Sequence, residues 1–219
     1  MKSAGKPVTG KTNGHAAMPA WLDPRRLTRI TAHATAADVK EALASSSRDE
    51  SASATLISPA AEPFMEEMAH RAREMTAKHF GRTISLYLPL YLSNHCSGGC
   101  AYCGFASDRK QPRRRLELPQ LRAEIAALRR MGAEDVLLLT GERCPQAGFE
   151  YMMECVSVAV KAFHSVSVES FAMTDNEYAE LAREGCNGVT LYQETYDPAL
   201  YSSLHRWGPK RDYRFRLAA

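Results

Sequence analysis

The sequence predicts an α/β fold of parallel strands joined by right-handed helical crossovers. Three observations lead there. Four short apolar runs recur: ISLYLPLYL (84–92), DVLLLT (135–140), SVSVES (165–170) and GVTLYQ (188–193). Helical periodicity separates all four, and recognisable helix starts and stops punctuate the connections. A doubly wound sheet and a closed β/α barrel both produce this pattern, and periodicity leaves the choice between them open.

Taken in order, residues 1–20 are rich in Lys, Gly, Thr and Ala without apolar periodicity, and 1–22 read as a disordered leader. The segment has no acidic residue, as in a transit sequence, but no arginine either. Residues 23–82 read as a helical extension. Thr35 is an N-cap ahead of Val39 and Leu43, and Phe64, Met68, Ala72, Met75 and Phe80 fall at near-helical spacing over 62–80. A Ser- and Ala-rich connection over 45–55 joins the two, and Met65, Met68 and Met75 read as core filler.

Residues 83–219 read as the strand–helix domain. The first run is continuous enough for a strand buried on both faces, but Pro89 inside it cannot donate to a ladder and points to an edge or bulge. Leu118, Leu121, Ile125 and Leu128 share one helical face over 118–131, which Gly132 ends. A helix over 149–163 follows the second run. Thr174 and Glu177 form a capping box for the next helix, closed by Gly185, and Asp197-Pro198 opens the last one.

The chain has 219 residues, 45% hydrophobic and 24% charged, enough for one sizeable core plus a tail. A net charge of +3 gives no argument for nucleic acid, and no apolar run approaches the roughly 20 residues of a membrane span. With no secretory apolar stretch, a cytoplasmic location is expected. Six cysteines do not form a disulfide framework, because Cys96, Cys100 and Cys103 fall within eight residues.

That C-x3-C-x2-C element suits a [4Fe–4S] cluster. Three thiolates on a short loop reach three corners of a cubane and leave the fourth iron without a protein ligand. Gly98 and Gly99 let the backbone fold closely around it. A structural zinc site would want four ligands, usually as paired C-x2-C units; only one such pair exists, and His95 is too close to Cys96 to complete a tetrahedron. Cys144 is the remaining nearby thiol, whereas Cys155 and Cys186 read as core or helix-face residues. The loop, Gly141-Glu142, Glu169 and Gln193-Glu194 all fall at the carboxyl ends of predicted strands, where α/β proteins bind ligands. DRKQPRRR (108–115) reads as a solvated basic loop; a contact with a substrate carboxylate or an acidic donor protein is its functional alternative.

LYLPLYLSNHCSGGCAYCGF (86–105), LLLTGE (137–142) and LYQETYDPALY (191–201) resemble the ThiH family, radical S-adenosylmethionine (SAM) tyrosine lyases that make 2-iminoacetate for the thiamine thiazole ring. TAADVKEAL, LISPAA and NEYAEL carry the similarity further, over about residues 23–217. YQETY is shared with the hydrogenase-maturation tyrosine lyase, which is the alternative within the superfamily. A non-catalytic iron–sulfur or zinc-binding fragment is the alternative outside it.

The resemblance implies a radical SAM β/α (TIM-like) barrel and a [4Fe–4S] cluster on Cys96, Cys100 and Cys103. It implies reductive cleavage of SAM and side-chain cleavage of L-tyrosine to 2-iminoacetate and p-cresol. Tyr102, Gly141, Glu142 and Glu169 would contact SAM, and Gln193 and Glu194 would face SAM or tyrosine. A reduced flavodoxin or ferredoxin and the thiazole synthase subunit are the implied partners. Arg143 departs from the histidine expected after TGE. Four units are about half of a barrel, which takes about 250 residues. A truncated product is therefore expected, which alone binds a cluster poorly or does not turn over.

Overall fold

The computed structural model describes residues 23–46 and 49–219; the expected leader, 1–22, lies outside them. The described residues divide into two compact units that meet in sequence between Ile84 and Ser85.

The first unit is helical. Asp23 caps α1 (Pro24–His33), and Thr35 and Asp38 close a reciprocal capping box on α2 (Ala36–Ala44). The segment expected as a plain connection contains α3 (Glu50–Leu56). Asp49 accepts a bond from the Ala52 amide at 2.8 Å, and the alanines behind it sustain a short helix despite the serines. The helix expected from residue 62 begins later. A 3₁₀ turn occupies Pro59–Phe64, because Pro63 lacks an amide proton, and α4 runs over Met65–Phe80 until Gly81, at φ 62°, ends it. Val39, Leu43 and Ala61 form a small core against Leu56, Phe64 and Met68. Met68 thus packs as expected, but Met65 and Met75 are exposed.

The second unit is a four-stranded parallel sheet in the order β1-β2-β3-β4: β1 (Tyr87–Tyr91), β2 (Asp135–Leu139), β3 (Ser165–Glu169) and β4 (Gly188–Thr190). Leu90 pairs with Leu138, which pairs with Val168, which pairs with Val189. Between the strands run α5 (Leu118–Arg130), α6 (Phe149–Ala159) and α7 (Asp175–Glu184). After β4 come α8 (Pro198–Leu204), a 3₁₀ turn (Pro209–Arg211) and α9 (Tyr213–Ala218). Leu90, Leu92, Val136, Leu138, Val166 and Val168 share the sheet face that packs into one core with Leu121, Ile125, Met152, Val156 and Leu181 of the helices.

Two expectations change here. β1 is not buried on both faces: Tyr87 and Tyr91, which alternate with the buried Leu90, are 58% and 56% exposed. The large core lies on the Leu90 face of the sheet, and the tyrosines alternate onto the other. Pro89 is harmless because the Leu92 amide donates to Leu139. Alternation then turns the nitrogen of Pro89 toward the open edge, where no ladder bond is lost. The fourth strand is also shorter than the apolar run. It stops at Thr190, and Glu194 sits at φ 70°, left-handed backbone that no strand continues through.

Candidate active site

The cysteine loop leaves the carboxyl end of β1 through a narrow neck. Ser93 and Arg115 form an isolated antiparallel bridge, and the Leu116 amide donates to the Leu92 carbonyl at 2.8 Å. Asn94 ties the two limbs, donating to the Pro112 carbonyl and accepting from the Arg114 amide.

The basic segment that follows is not simply solvated. Arg113 turns inward and donates to the carbonyls of Asn94, Phe105, Ala106 and Arg109. Arg109 donates to the Ala101 carbonyl and Gln111 to that of Gly104. Two guanidinium groups thus satisfy carbonyls that a loop without ladder bonds would leave open. Lys110 and Arg114 remain exposed.

A second clasp comes from beyond β4. The Gly99 amide donates to the Trp207 carbonyl at 3.0 Å, Ala101 to Leu204 at 2.8 Å, and Arg206 Nε to the Gly99 carbonyl at 2.9 Å. Gly99 is needed for this approach. A Cβ there would stand 2.1 Å from the Trp207 ring, and one on Gly208 would stand 2.7 Å from Gly98 Cα.

Backbone amides point at two of the sulfurs. Gly98 and Glu142 donate to Cys96 Sγ, and Phe105 to Cys103 Sγ, each at 3.3 Å. Burial pushes the Cys96 and Cys100 thiols above their usual range, so thiolates here call for a positive partner.

The three cysteines open onto a cavity of about 260 Å³ at the carboxyl ends of the strands. Tyr102, Gly141, Glu142, Glu169 and Glu194 line it as well, so these expected residues are brought together. Gln193 does not line it, and its amide nitrogen is buried without a partner. Cys144 packs against the hydrophobic core and does not reach the cavity wall. Arg143 turns away to Glu177, which it grips with both nitrogens at 2.8 and 2.9 Å, while its guanidinium lies 4.4 Å from the Phe171 ring centre.

Three lining residues carry no signal in sequence spacing: Ser170, Lys210 and Arg216. Lys210 Nζ pairs with Glu194 at 2.5 Å. Arg216 is 5% exposed; it donates to the Tyr192 carbonyl at 2.6 Å, lies 3.5 Å from Glu142, and keeps a buried Nε without a partner. The Ser170 hydroxyl is likewise buried and unpartnered. Burial raises the Glu142 and Glu169 carboxyls above their usual range. Burial works the same way on Glu194, but Lys210 outweighs it and holds that carboxyl low. The cavity therefore offers carboxylates and cations side by side, a lining complementary to a zwitterionic amino acid group.

The raised Glu142 carboxyl has a measurable sign. Between the ordinary value of 4.5 and its higher folded value, the folded chain binds the proton more tightly. Its contribution to stability then falls as pH rises through that window. Glu142→Gln removes this dependence, so its Tm relative to wild type should rise from acidic to neutral pH. A Tm difference moving the other way would contradict the assignment.

Residues 90–219 match the family model described as the Radical SAM superfamily. The chain belongs to the radical SAM superfamily. It is 41% identical over 183 residues to the 2-iminoacetate synthase of Escherichia coli strain K12, covering 84% of this chain and 48% of that protein. It is 30% identical over 152 residues to the 3-methylornithine synthase of Methanosarcina acetivorans, covering 68% of this chain and 43% of that protein. A crystal structure of HydG, a maturase of the [FeFe]-hydrogenase, superposes with a TM-score of 0.83 at 26% identity, over 91% of this chain and 47% of HydG. The chain spans about half the length of the curated relatives it matches.

The superfamily's cofactors are a [4Fe–4S] cluster and SAM, and the residues present suit both. Among the described residues no three His, Cys, Asp or Glu side chains converge on a single ion, whereas three sulfurs ring one cavity, as a polynuclear cluster requires. The zwitterionic lining beside them matches the methionine end of SAM. Like its relatives the radical SAM unit is a β/α structure, here with four strands of a partial barrel. Among the described residues no helix is long and apolar enough to cross a membrane.

Proposed function

We propose that this chain provides the cluster-bearing part of a tyrosine lyase that forms 2-iminoacetate and p-cresol for the thiamine thiazole. The observation that carries this is a sulfur-ringed cavity of zwitterionic lining in a chain 41% identical to a 2-iminoacetate synthase. Cys96, Cys100 and Cys103 would hold three irons of the cluster. Bound there, the cluster would supply the electron for reductive cleavage of SAM, the chemistry that would initiate hydrogen abstraction from the tyrosine amino group.

The protein's own groups bind and orient. Glu142 would accept hydrogen bonds from the SAM ammonium, and Arg216, the buried cation beside it, would meet the carboxylate. Gly141 leaves room for the loop to close on the site, and Tyr102 flanks the adenine. Glu169, Ser170 and Glu194 remain for the ribose or the substrate amine, with Gln193 behind them. L-Tyrosine, a reduced flavodoxin or ferredoxin, and a thiazole synthase subunit are the partners on this reading, in the cytoplasm.

The hydrogenase-maturation tyrosine lyase is the second reading, favoured by the fit to HydG. The test is anaerobic: reconstitute the chain with iron and sulfide, add reductant, SAM and tyrosine, and measure 5′-deoxyadenosine and p-cresol by mass spectrometry. Both products, with 2-iminoacetate and no cyanide or carbon monoxide, support the first reading. Deoxyadenosine without p-cresol removes tyrosine as substrate, and a cluster with neither product means the chain alone is inactive.

A further inference from the structure

Arg143 is not in the cavity wall, yet three of its groups run to three separate parts of the site's frame. Its amide donates to Glu142 Oε1 at 3.0 Å, its carbonyl accepts from the Ser97 hydroxyl at 2.5 Å, and its guanidinium grips Glu177 at 2.8 and 2.9 Å. The first contact fixes one oxygen of the carboxylate proposed to meet the SAM ammonium. The second ties the segment over 141–143 to the cysteine loop. The Glu142 amide strengthens that tie by donating to Cys96 Sγ.

The third contact is the anchor. Glu177 stands at the third position of α7, and its Oε2 accepts from the Thr174 amide at 2.9 Å and the Thr174 hydroxyl at 3.2 Å. It is thus held on the first turn of a helix whose Leu181 packs into the core. A glutamine would serve that cap as well. The second oxygen, Oε1, is bonded to Arg143, so it is the guanidinium that calls for a carboxylate. The guanidinium also lies on the ring of Phe171, which is 1% exposed. A planar fork engaged at both nitrogens and packed on one face has little freedom left.

We infer that Glu177 is a positioning residue: through Arg143 it holds the segment over 141–143, and with it the Glu142 carboxylate, in the orientation that receives the ammonium of SAM. This deepens, and rests on, the reading of Glu142 as that ammonium's acceptor. Glu177 itself does not line the cavity.

The test is SAM binding to the reconstituted full chain, measured by anaerobic calorimetry well below the unfolding temperature, with iron, sulfide and Tm recorded for every sample. Glu177→Gln keeps the cap and loses the charge. It should weaken SAM binding about fivefold at full iron content, a coupling of the size found within one hydrogen-bond and ion-pair network. Arg143→Met keeps an unbranched stem over Phe171 and should weaken binding by the same factor. The double variant should bind as either single one does, because the pair acts as one unit. Thr174→Ala is the comparison. It loses the cap hydroxyl, and so some Tm, but keeps the ion pair, and its SAM affinity should match wild type.

Wild-type affinity in Glu177→Gln would overturn the inference. So would losses that multiply in the double variant, or a loss of affinity in Thr174→Ala equal to that in Glu177→Gln. If one of the single variants fails to fold, the other and Thr174→Ala still decide. A wild-type chain that takes up no cluster, or takes it up and binds no SAM, overturns the reading of the site first, and this inference with it.

Discussion

Cys100→Ala should take cluster incorporation to background. Cys100 is 6% exposed, its backbone is bridged to His205, and its neighbours Gly99 and Ala101 are bonded to Trp207 and Leu204. No other thiol can swing into its place, since Cys144 and Cys155 pack with the hydrophobic core. Two thiolates leave a cubane with two open irons, which water and chelators strip. Iron and sulfide analysis after anaerobic reconstitution reads the loss directly, and a SAM-dependent change in the cluster's resonance should vanish with it.

Cys155→Ala is the internal comparison. Cys155 is buried in the core, where its thiol is pushed up to about 11, so it packs as a neutral group. That variant should lower Tm and leave iron content alone. Full iron content in Cys100→Ala, or its loss in Cys155→Ala, would sink the ligand assignment.

Gly141→Ala should damage the fold and the proposed cluster site together. A Cβ at Gly141 would stand 2.5 Å from the His95 carbonyl oxygen and 2.7 Å from Cys96 Cβ. Neither can rotate away, because both belong to the backbone of the cysteine loop or its first side-chain atom. Overpacking of this kind costs about 1–3 kcal/mol, and the displacement falls on a proposed ligand. Both Tm and cluster content should therefore drop.

Gly99→Ala, whose Cβ would stand 2.1 Å from the Trp207 ring that Ser107 holds, should lose stability as well. Gly104→Ala, with nothing within 4 Å of its Cβ, should change neither quantity. Equal losses at Gly141 and Gly104 would show that the contact with Cys96 does not matter. Thermal unfolding and iron analysis of the three variants give the ranking.

What the sequence determined by itself was local. The cysteine spacing, the capping boxes at Thr35 and Thr174, and the glycines at 132 and 185 act within a few residues, so adjacent positions specify them. Strand–helix alternation likewise implied a parallel sheet, whose carboxyl ends bring Glu142, Glu169 and Glu194 beside the cysteines. The Ser-rich stretch that hides α3 misleads because composition there outweighs one good N-cap, Asp49.

Only the tertiary structure decided what closes the site. His205, Arg206, Lys210 and Arg216 reach the loop or Glu142 from 74 to 107 residues away or pair with groups beside it, through contacts that no periodicity encodes. Arg113 reads as one cation among five, yet it turns inward because loop carbonyls without ladder partners need donors. Gln193 and Glu194 are neighbours in sequence, but the left-handed backbone at Glu194 puts one in the cavity wall and leaves the other out of it. Secondary structure is written in neighbouring residues, whereas a binding cavity is the meeting of segments that only packing brings together.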